Sequence, residues 1–540
     1  GQSMNPIHIG TIRQLFLDEH VVDRMEDVHR QFHRPVRHPD NPIVESDQPW
    51  EHGGGVYLYG GTVTFDREAR HFKMWYRASS PLLRTEGSSF DVAEGGYKAC
   101  YAVSDDGVHW YKPDLGLTEF AGSTANNLLP PSKDGKGFIR RPNLIKDYDE
   151  SDPDRRYKMV YMDNIDGQWG LSKGFSCDGI SWEMNVGQPH RFEKPIAPNG
   201  VLFGWDAGND EFVHYHRKTG RVRADVDGRF VRTKTAVMRT SSCDFETWGK
   251  THEVLTRGED DPPGWSPSHG IDLAGVQLTE DLYIGFVDTV TRHFVEDVPN
   301  NAWEGVHSKE FAEYRTELMV SRDGQKWDRV APMWEFMRRG LWGTWDRDHV
   351  GVAKPIVHDD QMLLYYLGSN IPLAANLPDH PQFPVLNTIV DGQRMGHAIG
   401  LATMRLDGFV SMDDYNTPGT LTTRPLSSNG DRLVVNARAP EVAFDGQGPK
   451  PHGSLRAEVL DSGGRVIDGY SVDDCDPFTG DDLRHVVTWK GRPRLPRLDG
   501  DPFRLRFHLS NAALYSFQVA DRDPRPEDVE LAEPGSRGAP

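Results

Sequence analysis

Four short stretches of this chain are copies of one another: Ser104-Asp105-Asp106-Gly107-Val108-His109-Trp110, Ser176-Cys177-Asp178-Gly179-Ile180-Ser181-Trp182, Ser242-Cys243-Asp244-Phe245-Glu246-Thr247-Trp248 and Ser321-Arg322-Asp323-Gly324-Gln325-Lys326-Trp327. Each reads S-x-D-G-x-x-W, with Phe245 replacing Gly in the third. A fifth, degenerate copy, Arg405-Leu406-Asp407-Gly408-Phe409, lacks the Trp. The four tryptophans fall 72, 66 and 79 residues apart. A unit of this length recurring around a chain marks a propeller or a solenoid. The same inference says which loops share an end of the fold.

Each copy is preceded by strand-like runs. Gly61–Asp66 with Phe72–Tyr76, Asn143–Asp147 with Tyr157–Met162, Val201–Asp206 with Glu211–Tyr215, Leu273–Leu278 with Leu282–Phe286, and Ala353–Val357 with Met362–Tyr366 are aromatic and branched segments joined by polar turns. Few windows hold a helical period. The unit is therefore strand A, strand B, strand C entering the signature, and strand D. Asp and Gly close the C–D turn and Trp packs between neighbouring sheets. The predicted fold is all-β: a five-bladed β-propeller over 46–417 followed by a β-sandwich over 418–520. Residues 1–45 read as an extension lying along the propeller, and 521–540 as a Pro- and acid-rich tail.

The formal charge of −20 argues against nucleic acid and anionic membranes as partners, since phosphate binding needs a basic surface. No apolar run reaches membrane-spanning length. Four scattered cysteines without a C-x-x-C pair imply neither a zinc site nor a disulfide framework, and a cytoplasmic location is expected.

In a blade of alternating strands, the start of A, the end of B and the start of C share one rim, opposite the signature turn. Ligands bind where such loops converge. Here that rim carries Trp50-Glu51, Arg141-Pro142-Asn143, His269, Asp272 and Trp345-Asp346-Arg347-Asp348-His349 before A strands. It carries Arg77, Asp163, His216-Arg217 and Asp288 after B strands, and His397 before a C strand. Carboxylates set among stacking aromatics suit glycoside chemistry, in which one acid protonates the leaving oxygen and another attacks the sugar or activates water. Trp50, Trp342 and Trp345 are candidates to floor a sugar ring, although core packing accounts equally well for a tryptophan.

The hairpin-plus-signature pattern, Asn126-Asn127-Leu128 after Leu115-Gly116-Leu117, and segments such as Gln14–Asp18, Asp47–Glu51, Phe72–Tyr76, Leu401–Phe409 and Asp473–Pro477 resemble the five-bladed propeller enzymes of glycoside hydrolase families 32 and 43. More specifically, the chain is similar to the group labelled glycosyl hydrolase family 32-like. That resemblance implies a sugar-cleaving propeller with three acids at the starts of early inner strands. The chain departs from it: Glu51 lies early, Asn143 stands where an Asp is expected, and blade three has no Glu-Cys pair. The acids have moved towards blades four and five.

The expected catalytic set is Glu51, Asp272 and Asp346. Trp50, Arg141, Asn143, Asp163, His269, Asp288, Trp345, His349 and His397 are the expected substrate-binding residues. The expected function is a glycoside hydrolase or transglycosidase acting on a furanoside-type or small oligosaccharide, with carbohydrate as the partner and no required cofactor. Two alternatives stand: a non-catalytic carbohydrate-binding propeller, or a metal-dependent lyase or hydrolase using His269, His349 and His397 with an Asp. An axial Ca²⁺ or other divalent cation is compatible with either enzyme reading. A homo-oligomer is compatible with the sequence.

Overall fold

The computed structural model describes residues 5–52, 55–79, 97–133, 138–165, 168–184, 186–187, 189–192, 200–218, 222–226, 229–231, 236–261, 265–267, 273–294, 310–371, 389–390, 392–415, 417–440, 443–445, 448–450, 453–529 and 537. Among them there is no α-helix; strands and short 3-10 turns such as Pro49–Glu51 make up the regular structure. The chain divides into two compact units.

One unit comprises Gly1–Arg34, Val357–Met362 and Met404–Glu530. It holds two six-stranded sheets. In one, Ile7–His8, Leu426–Ser427, Phe503–Ser510, Gly419–Thr423 and Val22–Glu26 lie in that order, with Ser454–Asp461 also on Phe503–Ser510. In the other, Gly480–Val486, Arg432–Ala439, Ala513–Ala520, Val410–Asp414 and Val28–Phe32 follow one another, with Gln14–Leu15 on Ala513–Ala520. Phe503–Ser510 alternates strictly, with Phe503, Leu505, Phe507 and Leu509 buried. This is the period-two pattern of a strand with one face in a core. Phe507 of one sheet meets Phe517 of the other, ring centroids 5.5 Å apart.

The N-terminal strands here differ from the sequence expectation of an extension lying along the propeller. Val22–Glu26 and Val28–Phe32 pair with Gly419–Thr423 and Val410–Asp414. Val22-Asp-Arg-Met-Glu is too polar to read as a strand, and it forms because its backbone completes the edge of a sheet assembled 400 residues later.

The second unit comprises Pro35–Ile356, Leu363–Thr403 and Leu531–Pro540. Its sheets repeat one antiparallel progression. Leu144–Lys146, Tyr157–Ile165, Gln168–Ser176 and Glu183–Met184 make one; Gly200–Asp206, Glu211–Lys218, Ala236–Ser242 and His252–Leu255 another; Leu273–Thr279, Leu282–Phe294, Glu310–Ser321 and Asp328–Arg329 a third. An eight-stranded sheet contains two further sets. Gly55–Asp66, His71–Ser79 and Tyr97–Ser104 form one. The other consists of His349–Val352 with Ile356–His358, then Gln361–Ser369, His397–Arg405 and Val36–Arg37. A single parallel bridge, His397 to Gly55, joins them. The outer strand of the last set thus comes from near the start of the chain.

Every signature begins on the last residue of a third strand: Ser104, Ser176, Ser242, Ser321 and, in the degenerate copy, Arg405. Its chemistry is local. In the second copy, Asp178 Oδ1 accepts from the backbone N–H of Ile180 and Ser181 at 2.8 and 2.9 Å, Ser176 Oγ accepts from Gly179 N–H at 2.9 Å, and Trp182 Nε1 donates to the Gly179 carbonyl at 2.9 Å. Gly107, Gly179 and Gly324 take φ of 77°, 76° and 71°, and Phe245 is held at 64°. The left-handed position explains the glycine.

Neighbouring sets are tied through these turns. Tyr365 donates to the Gly107 carbonyl at 2.8 Å, Trp75 to that of Gly179 at 2.7 Å, and Tyr215 to that of Gly324 at 2.6 Å. Phe175 packs on Phe245 with centroids 5.8 Å apart. First strands meet too. Thr62 Oγ1 donates to the Pro142 carbonyl at 2.8 Å, and Leu202 N–H to Asn143 Oδ1 at 2.5 Å. Thr316 Oγ1 donates to the Val350 carbonyl at 3.1 Å, and Lys354 Nζ reaches the Leu202 carbonyl at 2.8 Å.

Candidate functional site

The strand ends remote from the signatures carry a different population. His349 and His397 are the first residues of their strands, while His216 and Arg77 lie near the ends of theirs. Asp288 sits within Leu282–Phe294, and Arg141 two residues before Asn143. All six are buried.

All but His216, which packs on Phe192 and His214 instead, are linked through a run of neighbouring side chains. Asp288 Oδ2 lies 2.8 Å from His349 Nε2, both side chains 1% exposed, and Asp288 Oδ1 is 3.3 Å from Thr316 Oγ1, whose hydroxyl hydrogen it shares with the nearer Val350 carbonyl. Tyr314 packs on the His349 ring at 4.9 Å. His397 neighbours His349, and its ring lies 4.3 Å from that of Tyr57. Tyr57 meets Tyr97 edge-on at 5.0 Å. The Arg77 guanidinium lies over Tyr97 at 4.1 Å and over Tyr59 at 5.6 Å, and Arg141 lies over Tyr59 at 5.7 Å. Guanidinium over tyrosine is a favourable way to bury a cation's flat face.

Among the described residues nothing hydrogen-bonds His349 Nδ1, either ring nitrogen of His397 or His216, or Nδ1 of His214. Burial pushes His214 and His397 down to about 3, and His216 well below its ordinary value, so these rings are neutral near pH 7. His214 and His216 stack with centroids 5.6 Å apart. A buried polar atom without a partner costs about 1–3 kcal/mol. Several at one end of a fold therefore call for a reason.

A cavity of 320 Å³ adjoins this region. Its lining includes Ser46, Gly55, Trp345, Arg394 and His397. Trp345 stacks on Tyr366 at 5.5 Å.

The sequence-predicted residues divide. Asp288, His349, His397 and Arg141 belong to the contact chain above. Glu51 lies elsewhere, fully buried and fully engaged: Tyr76 Oη donates to Oε1 at 2.7 Å, and the N–H groups of Asp47 and Gln48 and Lys112 Nζ donate to Oε2 at 3.0, 3.1 and 2.9 Å. Burial pushes its pKa up, opposed by Lys112. Asp346 accepts from Arg37 Nε at 2.7 Å, Tyr366 Oη at 3.0 Å and Thr344 Oγ1 at 3.1 Å. Trp50 donates to Asn127 at 2.9 Å inside the core. Asn143 stitches first strands together through Gly61 and Leu202. Asp163 lies in the Tyr157–Ile165 strand, its side chain outside the described residues, and His269 and Asp272 lie wholly outside them. Among the described residues no group of three or more His, Cys, Asp or Glu is arranged to hold a metal ion.

The sequence reading omitted Tyr57, Tyr59, Tyr97, Thr316 and His214. Gly55-Val-Tyr-Leu-Tyr reads as buried strand, and only its pairing with Arg77 across the hairpin reveals that Tyr57 and Tyr59 stand at the site end.

No family model matches the chain, and no curated protein does. Solved structures do. A glycosyl hydrolase from Bacteroides ovatus is 13% identical, with 69% of this chain and 94% of that one covered and a TM-score of 0.38. A β-1,2-mannobiose phosphorylase from Listeria innocua is 11% identical over 69% of this chain and 97% of that one, TM-score 0.38. A family 117 glycoside hydrolase from the marine bacterium Zobellia galactanivorans is 9% identical over 70% and 89%, TM-score 0.33.

Proposed function

We propose that the second unit is a five-bladed β-propeller of the family 32/43 type and that the end remote from its signatures acts on a glycosidic bond of a small or furanoside-type carbohydrate. The ring is supported by the links between sets. Taken in chain order, the first set contacts the second (Trp75 to Gly179), the second the third (Phe175 to Phe245), the third the fourth (Tyr215 to Gly324) and the fourth the fifth (Asp288 to His349). The fifth returns to the first (Tyr365 to Gly107). The two-sheet unit is proposed as the accompanying sandwich, its facing layers meeting at Phe507 and Phe517.

One observation carries the functional reading: buried imidazoles with unpartnered nitrogens gather with a buried carboxylate at the end where loops converge. Sugars present hydroxyls that both donate and accept, which suits such groups. Among the sequence-predicted acids, Asp288 has a setting suited to the site. Asp288, engaged by His349, would act through that ring; the contacts of Glu51 and Asp346 support structural roles, and Asp272 remains the proposed catalytic carboxylate. Arg77 and Arg141 would fix the substrate's orientation.

The test is a panel of aryl furanosides and pyranosides. Turnover of at least one, falling at least a hundredfold in Asp288→Ala, is expected. Binding without turnover by any member would favour the carbohydrate-binding alternative. Absence of both binding and turnover across the panel would contradict the proposal.

A further inference from the structure

We infer that His349 and His397 form a paired hydroxyl reader, in which Asp288 fixes the His349 ring so that its Nδ1 accepts a hydrogen bond from a neutral diol of the substrate; the inference rests on the carbohydrate reading above. Asp288 is enclosed: its side chain is 1% exposed, Oδ2 lies on His349, and Oδ1 is 3.3 Å from Thr316 Oγ1. A carboxylate only accepts, so its 2.8 Å bond to His349 places the ring proton on Nε2. In the neutral ring Nδ1 is then an acceptor, and among the described residues no donor faces it.

His397 complements it. Its neutral ring has one donor and one acceptor nitrogen, and neither has a protein partner among the described residues. The two histidines stand in register in one sheet. His349 pairs with Ser369, and the next residue, Asn370, donates its N–H to the Gly396 carbonyl beside His397. One strand separates them, which puts their backbones about 10 Å apart. With the Gln361–Ser369 strand between them, both side chains are within reach of adjacent hydroxyls of one sugar ring seated from the cavity that His397 lines. The Tyr57 ring 4.3 Å from His397 adds an apolar surface for C–H groups. The unpartnered imidazole nitrogens offer hydrogen bonds rather than a counter-charge, and the buried Asp288 carboxylate beside them disfavours an anion, so the group proposed for recognition is an uncharged diol.

The experiment uses the full chain, with methyl arabinofuranoside and methyl xyloside as probes and imidazole ¹⁵N NMR, sugar titration and aryl-glycoside turnover as readouts. The expected wild-type spectrum has His349 Nδ1 unprotonated and its resonance moving on titration with at least one probe. His349→Gln keeps an N–H for Asp288 but replaces the ring acceptor at the Nδ1 position with an amide oxygen in a different place, and a tenfold or greater weakening of binding is expected with little change in thermal midpoint. Asp288→Asn reverses the hydrogen bond and with it the tautomer, so binding should weaken similarly while the His349 signal moves to the Nδ1–H form. A wild-type spectrum with Nδ1 protonated overturns the inference even if no variant folds. Unchanged binding by His349→Gln, with glycoside turnover intact, overturns the inference and leaves the functional reading standing. Absence of binding and turnover in the wild-type chain overturns both.

Discussion

The two ends of the repeated sheets treat polar atoms in opposite ways. At the signature end the turn carboxylates and serines are bonded within their own copy, although Trp327 Nε1 of the fourth copy is buried without a partner among the described residues. Asp178 has two backbone donors, Ser176 a third, and the Gly179 carbonyl accepts from both Trp182 and Trp75. Asp66, at the same end of its strand, takes Lys73 at 2.5 Å, Lys146 at 2.9 Å and two backbone N–H groups. At the other end His216 and His397 are buried just as deeply and bond to nothing described. Both ends are rich in polar residues, so composition does not separate scaffold from site. Satisfaction does.

The comparison breaks most readily at its satisfied end. Asp66→Asn leaves two buried lysines without a full counter-charge, and a loss of about 3–5 kcal/mol in urea unfolding is expected. Lysines 73 and 146 hold the Asp66 carboxyl well below the ordinary range against the opposing effect of burial. Its stabilisation is therefore complete above pH 4 and is lost as pH falls below that.

Gly179→Ala is next. The residue has φ of 76°, and an added Cβ would stand 2.7 Å from the Trp75 ring. A loss of about 1–3 kcal/mol is expected by the same assay. The equivalent change at Gly464, which has open space around it, should cost only the backbone share.

Acid sharpens the contrast from the unsatisfied side. His214 and His397 titrate at about 3 when folded and near 6.5 when unfolded. Between those values the unfolded chain binds more protons, so stability is full above pH 6.5 and falls on acidification towards pH 3. About 1 kcal/mol per imidazole should be gone by pH 5.5. The slope should flatten in His397→Phe. That variant gives the smallest effect at pH 7: its thermal midpoint should stay level or rise, because no hydrogen bond is lost, while sugar binding drops. A marked loss of stability there would mean the imidazole is structural after all.

Much of the scaffold was legible in the chain. The S-x-D-G-x-x-W copies announce their own turn chemistry, and the aromatic runs before them became strands close to the expected positions. Strands whose stability comes from remote pairing were not legible: Val22–Glu26 is polar along most of its length, and Val36–Arg37 joins a sheet through Ala402 and Thr403. The candidate site was legible by location rather than by role. Strand alternation puts Asp288, His349 and His397 at the end remote from the signatures, which is where their strands hold them. Glu51 and Asp346 looked equally suitable, since a sequence does not show that Lys112 and Tyr76, or Arg37 and Tyr366, already occupy their oxygens. An acid in a loop announces charge but not whether that charge is already paired.

The most direct test is a crystal of the full chain soaked with a methyl furanoside and solved at a resolution that shows the ring. Density for the sugar with an oxygen about 2.8 Å from His349 Nδ1, at the end opposite the signature turns, is the predicted result. A sugar seated against the signature turns, or a map in which a protein group already fills the space before Nδ1, would contradict the account.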